Sequence, residues 1–234
     1  MQQISGRDAA LAVLTDPLFV VPPVPAASAG VAWLRATVAR FSTGTVHERR
    51  RALVMALLDA IPPESLRAPS TLHPVAILGR AVGAGDAVSA GESVTDLVRG
   101  VAQAYLPGTG DESRADVAVD KLVAVFGGAF DEQTAARIGL LVQACEATGV
   151  LTERARTRPV HEVLREEPPV RATKRQALAT TTVGSITIEA GEVVQVCLAD
   201  DLAFGAGPHQ CPGRVHALAL AQALAGGALA AGTK

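Results

Sequence analysis

The sequence predicts a mainly α-helical domain with a small β-hairpin region. Long stretches place apolar residues at helical spacing, and the hydrophobic content of 49% comes mostly from Ala, Val and Leu. One short segment, SITIEAGEVV at residues 185–194, has instead the β-branched content and the central turn of two paired strands. The 234 residues indicate a single domain, 1–234, that is large enough to bury a hydrophobic core.

Helical periodicity predicts most of the elements. Asp131 is placed to cap the helix that it precedes. A short helix containing Glu162 and Arg165 ends at the diproline 168–169, because proline cannot continue a helix. Residues 19–29 are rich in proline and alanine and are predicted to be a loop or linker. The other predicted helices cover residues 4–15, 32–39, 50–60, 72–82, 88–105, 114–126, 131–146 and 214–225.

Composition and charge exclude several classes of function. The formal net charge of −2 gives no electrostatic case for nucleic-acid binding. Cys145, Cys197 and Cys211 are an odd number of cysteines with neither zinc nor disulfide spacing, which indicates a reducing cytoplasm. No basic segment precedes an apolar one at the N-terminus. The apolar run near the C-terminus is interrupted by His216, Gln222 and paired glycines. We therefore expect neither a signal peptide nor a membrane segment.

The strongest chemical signal is a cysteine loop, FGAGPHQCPG, at residues 204–213. Gly205, Gly207 and Pro208 disfavour regular structure, so a tight loop is expected before the last helix. Cys211 then lies next to a helix N-terminus, where unpaired N–H groups and the helix dipole favour a thiolate. The thiolate is the form of cysteine that binds metal. The alternative is an inert, buried cysteine.

This loop resembles the haem-binding loop of the cytochrome P-450 family, F-G-x-G-x-H-x-C-x-G. The resemblance implies a cytochrome P-450-like fold of reduced size around haem b, with Cys211 as the proximal thiolate ligand of the iron. It also implies that His209 faces a haem propionate and that Phe204 packs beside the sulfur. The six fixed positions of the pattern are filled by Phe204, Gly205, Gly207, His209, Cys211 and Gly213.

A second pattern resembles the family's H-x-x-x-R pair, which binds haem propionates. His47 and Arg51 are four residues apart and so share one face of a helix. Taken alone, the run around them would be a solvated basic segment. By resemblance, both residues are propionate ligands.

A third pattern, at Glu162 and Arg165, resembles the E-x-x-R motif. In the family these two side chains form a structural ion pair near the proximal face of the haem. The alternative is an ordinary surface pair. The diproline, basic residues and hairpin that follow have the family's order, which implies a further propionate contact from Lys174 or Arg175. The sequence does not choose between these two.

The segment that resembles the family's distal helix is altered. The family carries a carboxylate followed directly by threonine, a pair that helps to deliver protons to dioxygen. Here Glu146 supplies the carboxylate, but Ala147 stands in the place of the threonine. Thr148 lies about 100° further round the helix and is expected to serve only if the helix is unwound or shifted. Glu146 and Thr148 are the candidate catalytic residues.

Several segments of the family are short or missing. Too few residues separate Glu146 from Glu162 for the family's intervening helix, and the long segment before the haem loop is reduced. That segment contributes to the surface where electron donors dock. The small β-region that precedes the first helix in the family is also predicted to be absent.

The resemblance implies a haem-thiolate oxidoreductase, monooxygenase-like, acting on a small secondary-metabolite substrate. Non-hydroxylating or peroxide-dependent chemistry is favoured, because the proton relay and the donor surface are both altered. The alternatives are a catalytically inactive scaffold or activator of a biosynthetic enzyme, and a haem binder for sensing or storage. The expected partners are the substrate and a redox partner or biosynthetic enzyme, in the cytoplasm, with no nucleic acid and no membrane. A homodimer would complete a shortened shell.

Overall fold

Helices form most of the fold. The computed structural model describes residues 1–67, 72–85 and 92–231. Within these ranges, no helix combines the length and the apolar character needed to cross a bilayer. The helices are α1 Arg7–Thr15, α2 Gly30–Thr37, α3 Gly44–Asp59, α4 Pro74–Ala81, α5 Val94–Ala102, α6 Glu112–Val125, α7 Glu132–Ala155, α8 Val160–Glu166 and α9 Arg214–Ala231. The strands are β1 Gln3–Ile4, β2 Phe19–Val20, β3 Ala172–Ala177, β4 Thr181–Val183, β5 Ile186–Ile188 and β6 Val193–Cys197.

The helical core is organised around α7, which packs against α2–α6, α8 and α9. Its start is set by Asp131, whose carboxylate accepts a hydrogen bond from the Thr134 N–H at 2.8 Å, so the predicted cap is confirmed. A Cβ on Gly139 would lie 2.8 Å from the side chain of Val38, which shows how closely the chain packs against α7 there. Ile138 and Leu141 are fully buried in this core.

A second core lies between α1 and the strands. Its main sheet has the order β1-β6-β3-β2, with β1 parallel to β6 and the other pairs antiparallel. Strands β4 and β5 form a separate hairpin. Ile4, Val13, Ile188, Val194 and Val196 are buried between these elements.

Two predictions about the strands are wrong, and the predicted loop at 19–29 begins with a strand, because Phe19–Val20 pairs with β3. A β-region does precede the first helix, because Gln3–Ile4 pairs with residues 195–196 of β6. Residues 185–194 do not form a hairpin of their own, because β5 pairs with β4 whereas β6 pairs with β3. The reason is Gly184, whose φ of +61° makes the tight turn between β4 and β5. The two halves of the predicted hairpin therefore belong to different sheets.

Several helix boundaries differ from the prediction, and the largest difference is at α7, which continues to Ala155 where the predicted helix covers 131–146. Helix α3 begins at Gly44, before the predicted start at residue 50, so His47 lies in its first turn. The Glu and Arg residues that follow His47 are good helix formers. Helix α9 continues through the paired glycines, since a glycine inside a helix costs only about 1 kcal/mol. Of the helix predicted at 88–105, residues 88–91 lie outside the described residues, and α5 starts at the capping box of Ser93 and Asp96.

The ion pairs of Glu132 join α3 to α7 and make stability depend on pH. Its carboxylate accepts hydrogen bonds from Arg49 and Arg50 at 2.8–2.9 Å, and these contacts lower its pKa to about 2. Because the folded-state pKa is below the unfolded value, the stabilisation is present above pH 4–5 and is lost as the pH falls towards 2.

We expect Glu132→Gln to reduce the free energy of unfolding by about 1 kcal/mol at pH 7, a modest value because the carboxylate is partly exposed. The difference from the wild type should shrink towards zero near pH 2. Urea unfolding at a series of pH values measures it. Glu153→Gln, which removes an exposed pair with Arg156 on the same helix, is the matched control and should show little effect. A difference that does not depend on pH would contradict this account.

Candidate functional site

A cavity of about 560 Å³ lies between α3, α7, β3, the cysteine loop and the start of α9. Its size is in the range of small-molecule and cofactor sites. Most of its wall is apolar, and α7 contributes residues that recur at helical spacing along one face. The apolar lining includes Val54, Leu58, Leu78, Leu140, Ala144, Leu151 and Leu220.

The cysteine loop folds back on itself at one side of this cavity. The Gly205 N–H donates to the Leu202 carbonyl at 2.7 Å, and the Cys211 N–H donates to the Phe204 carbonyl at 2.8 Å. Gly205 has a φ of +69°, which glycine adopts without steric cost. As a result Phe204, Gly205, Cys211 and Gly213 all line the cavity, and α9 begins three residues after the cysteine, as predicted.

The Cys211 thiol is reached by solvent through the cavity, although protein surrounds it on its other sides. Burial raises its pKa, and this effect outweighs the opposing influence of the Gly213 N–H, Arg51 and Arg40. Burial thus opposes the thiolate that the helix start and the nearby arginines favour. A bound metal cation would favour the thiolate further.

Positive charge gathers at one end of the cavity. Arg40, Arg51 and Arg175 line it, and the ring of His47 stacks on that of His209 with centroids 3.9 Å apart. No aspartate or glutamate is among the described residues of the wall. The predicted propionate ligands thus lie together, and no carboxylate from the described part of the cavity wall balances their charge.

The pKa values of these groups reflect the positive field. Burial, together with His47, Arg175, Arg51 and Arg40, lowers the pKa of His209 to about 3. Burial and Arg40 lower the pKa of Arg175 to about 10. Burial and Arg51 also lower the pKa of His47. Both histidines are therefore neutral near pH 7, and the arginines carry the charge.

The structure distinguishes Arg175 from Lys174. Arg175 is only 4% exposed, and its guanidinium donates to the Thr173 hydroxyl at 3.2 Å and to the Lys174 carbonyl at 2.8 Å. Lys174 also borders the cavity, but it is exposed. A buried guanidinium with spare donors needs an anion much more than a solvated ammonium does.

On α7, the two candidate catalytic residues lie on different sides. Thr148 is buried and lines the cavity beside Ala147, although α7 is continuous from 132 to 155, so no unwinding is needed. Glu146 is exposed and faces a separate surface pocket. The predicted pairing of Glu146 with a hydroxyl on one cavity wall is not found, because a straight helix turns its side chain away.

The predicted ion pair between Glu162 and Arg165 is also not found among the described residues. Arg165 contacts its neighbour Glu166 at 3.3 Å, and its side chain is 65% exposed. At such an exposed position an ion pair contributes little free energy, so Arg165 has little preference between Glu162 and Glu166. Helix α8 still borders the cavity, through Leu164 and the chain that follows it.

Three solved structures are similar in fold to this chain. The chain matches CalO2 with a TM-score of 0.71 at 16% identity, over 98% of this chain and 81% of that one. It matches P450BioI, solved in complex with an acyl carrier protein ligated to hexadec-9Z-enoic acid, with a TM-score of 0.66 at 16% identity, over 96% and 83%. It matches CYP109E1 from Bacillus megaterium, in complex with testosterone, with a TM-score of 0.62 at 18% identity, over 95% and 81%.

The chain has the fold of a cytochrome P450. The TM-scores of 0.62–0.71 establish this fold, whereas identities of only 16–18% leave the substrate and the chemistry open. No protein-family model matches the chain, and no curated protein sequence matches it either.

Sequence reasoning missed two cavity residues of this P450 fold. Arg40 adds a third guanidinium from the short 3-10 helix Ala39–Phe41. His216 on α9 lies within hydrogen-bond distance of the Leu58 and Ile61 carbonyls, 3.1 and 2.9 Å from its Nε2, and so ties α9 to the end of α3. The sequence could have indicated His216, because it is a single histidine in an otherwise apolar helix. Arg40 gave no signal, because only the fold brings it to the cavity.

The close approach of Gly207 to α1 gives a test of the loop geometry. Its φ is +67°, and a Cβ there would lie 2.4 Å from the Leu14 carbonyl oxygen. Gly184 has a similar φ of +61° with nothing within 4 Å of a Cβ, so it is the matched control.

We expect Gly184→Ala to lower the free energy of unfolding by about 1–2 kcal/mol, from backbone strain alone. Gly207→Ala should lower it by a further 1–3 kcal/mol, roughly, because the added methyl group must displace α1 or the loop. Chemical denaturation of both variants measures the difference. Equal losses would show that the loop does not pack on α1 as described.

Proposed function

We propose that the cavity binds haem with Cys211 as the thiolate ligand of the iron, and that the protein is a haem-thiolate oxidoreductase acting on a small, largely apolar molecule. One observation carries the proposal. A cysteine thiol and an unbalanced group of arginines line the same apolar cavity. Haem has an apolar ring, two carboxylates and a metal that a thiolate can bind, so these residues fit it.

The cationic end of the cavity supports binding of the two propionates. Arg51 and Arg175 would hold them, with hydrogen bonds from His47 and His209, which are neutral near pH 7. Arginine suits this role because its planar donors match a carboxylate and stay charged. Pairing the buried guanidinium of Arg175 with a propionate also removes the unfavourable free energy of an unpaired buried charge.

Cys211 supports metal binding in spite of its raised pKa. A metal cation deprotonates a thiol that binds it, so the burial that opposes the free thiolate does not oppose the bound one. The loop hydrogen bond between the Cys211 N–H and the Phe204 carbonyl holds the cysteine in place before any ligand arrives. Haem bound in this way supplies oxidative chemistry that the side chains themselves lack.

The polar groups on the α7 wall support an oxidant that brings its own protons. Thr148 offers a hydroxyl there and Gln143 an amide, and neither can act as an acid at neutral pH. Because Glu146 lies outside the cavity, it cannot deliver protons to an oxidant bound there. We therefore favour hydrogen peroxide as the oxidant over dioxygen with an external electron donor. In an oxygen transfer, one peroxide oxygen would go to the substrate and the other would leave as water, so no further electrons are needed.

A non-catalytic scaffold is the second candidate function. The observation that favours it is the same lack of a carboxylate in the described cavity wall. A scaffold would need the fold but not the thiol, and so would keep its partner when Cys211 is replaced.

The test is the absorption spectrum of the purified, haem-supplemented protein, reduced under carbon monoxide. A thiolate ligand gives a strongly red-shifted Soret band, which we expect for the wild type. Cys211→Ala should lose that band. Cys197→Ala, which removes a thiol outside the cavity whose sulfur accepts a hydrogen bond from Gln3, should keep it. Absence of haem, or a shifted band that survives in Cys211→Ala, would overturn the proposal.

A further inference from the structure

A second pocket, of about 430 Å³, lies on the side of α7 that faces away from the haem cavity. Helices α4, α5 and α7 surround it, and its described lining consists of His73, Arg99, Ala102, Cys145, Glu146, Gly149 and Val150. None of these residues lines the first cavity. The proposed oxidoreductase function therefore makes no use of this pocket.

Two side chains of opposite charge face this pocket without contacting each other. Among the described residues, Glu146 forms no ion pair, and Arg99 reaches only Asp96, at the long distance of 3.8 Å. Asp96 is already engaged by Ser93, whose hydroxyl donates to it at 2.6 Å. Arg99 and Glu146 thus keep most of their capacity to bind charge.

The remaining lining is neutral and holds one oriented donor. His73 caps α4, and its Nδ1 accepts a hydrogen bond from the Val75 N–H at 3.2 Å. The proton of the neutral ring is therefore on Nε2, which lies next to Gly149 of α7. Burial raises the pKa of the Cys145 thiol to about 11, so the floor of the pocket is uncharged near pH 7.

We propose that this pocket is a separate binding site for a small amino carboxylate, with Arg99 holding the carboxylate group and Glu146 the ammonium group. A dianion would be repelled by Glu146 and a dication by Arg99, whereas a zwitterion satisfies both. The aliphatic part of the ligand packs on Ala102, Gly149 and Val150. The Nε2–H of His73 supplies a further hydrogen bond.

This site gives Glu146 a role that the cavity does not. Glu146 and Gly149 line the pocket, whereas Ala147 and Thr148 line the haem cavity, so the two sites share one turn of α7. The site uses only the protein's own residues. Its test therefore has an outcome that does not depend on whether haem binds.

The experiment is calorimetric titration of the purified protein, with and without added haem, using four five-carbon probes. They are 5-aminopentanoate, its isomer norvaline, pentanoate and pentan-1-amine. We expect at least one of the two zwitterions to bind about tenfold or more tightly than both singly charged probes. The isomer that binds better reports the spacing of the two charged groups.

Three variants locate the site. Arg99→Gln and Glu146→Gln should each weaken binding of the preferred zwitterion about tenfold, because each removes one charge partner. Glu153→Gln, on the exposed part of α7 beyond the pocket, should leave the affinity unchanged. In the wild type, the backbone amide signals of Gly149 and Val150 should shift on binding.

Two results would overturn the proposal. One is that zwitterions bind no better than the singly charged probes, which includes no binding of any probe at concentrations up to about 10 mM. The other is that Arg99→Gln and Glu146→Gln bind like the wild type. Far-UV circular dichroism of each variant serves as the control for folding.

Discussion

The central constraint in the structure is a concentration of positive charge inside an apolar cavity, which no carboxylate among the described residues of the wall neutralises. Three guanidinium groups from different elements meet there, and burial has already lowered the pKa of Arg175. Such an arrangement is unfavourable in an empty protein and favourable around a dianion, so the folded chain is built for an occupant. The cysteine loop adds a thiol to the same cavity, and haem is a ligand that satisfies both features.

Helix α7 connects this cavity with the rest of the molecule. One face carries Thr148 towards the cavity, and the opposite face carries Glu146 towards a second pocket with charges of both signs. The separation of the acid from the hydroxyl follows from the geometry of a straight helix, in which neighbouring residues differ in direction by about 100°. It places the carboxylate of Glu146 at the second pocket and outside the cavity that Thr148 lines. The same helix is joined to α3 by the hydrogen bonds of Glu132 with Arg49 and Arg50, which link the helix of His47 to the helix of Thr148.

Much of this could be predicted from the sequence. The cysteine loop, the pair of His47 and Arg51 and the mainly helical fold depend on local spacing, and local spacing is what a sequence shows. The strand pairing could not be predicted, because the turn at Gly184 and the partner of Gln3–Ile4 are set by tertiary contacts. Arg40 was missed for the same reason. The exposed pair of Glu162 and Arg165 was a wrong prediction, because a motif spacing does not decide between two solvated carboxylates.

The central claim is that the positive field of the cavity selects a dianionic occupant. Haem and its dimethyl ester, in which both propionates are neutral, can be titrated into the apo-protein under identical solvent conditions. The account predicts that haem binds at least about tenfold more tightly, and that Arg175→Met reduces this preference whereas Lys174→Met does not. Equal dissociation constants for haem and its dimethyl ester in the wild type would contradict it.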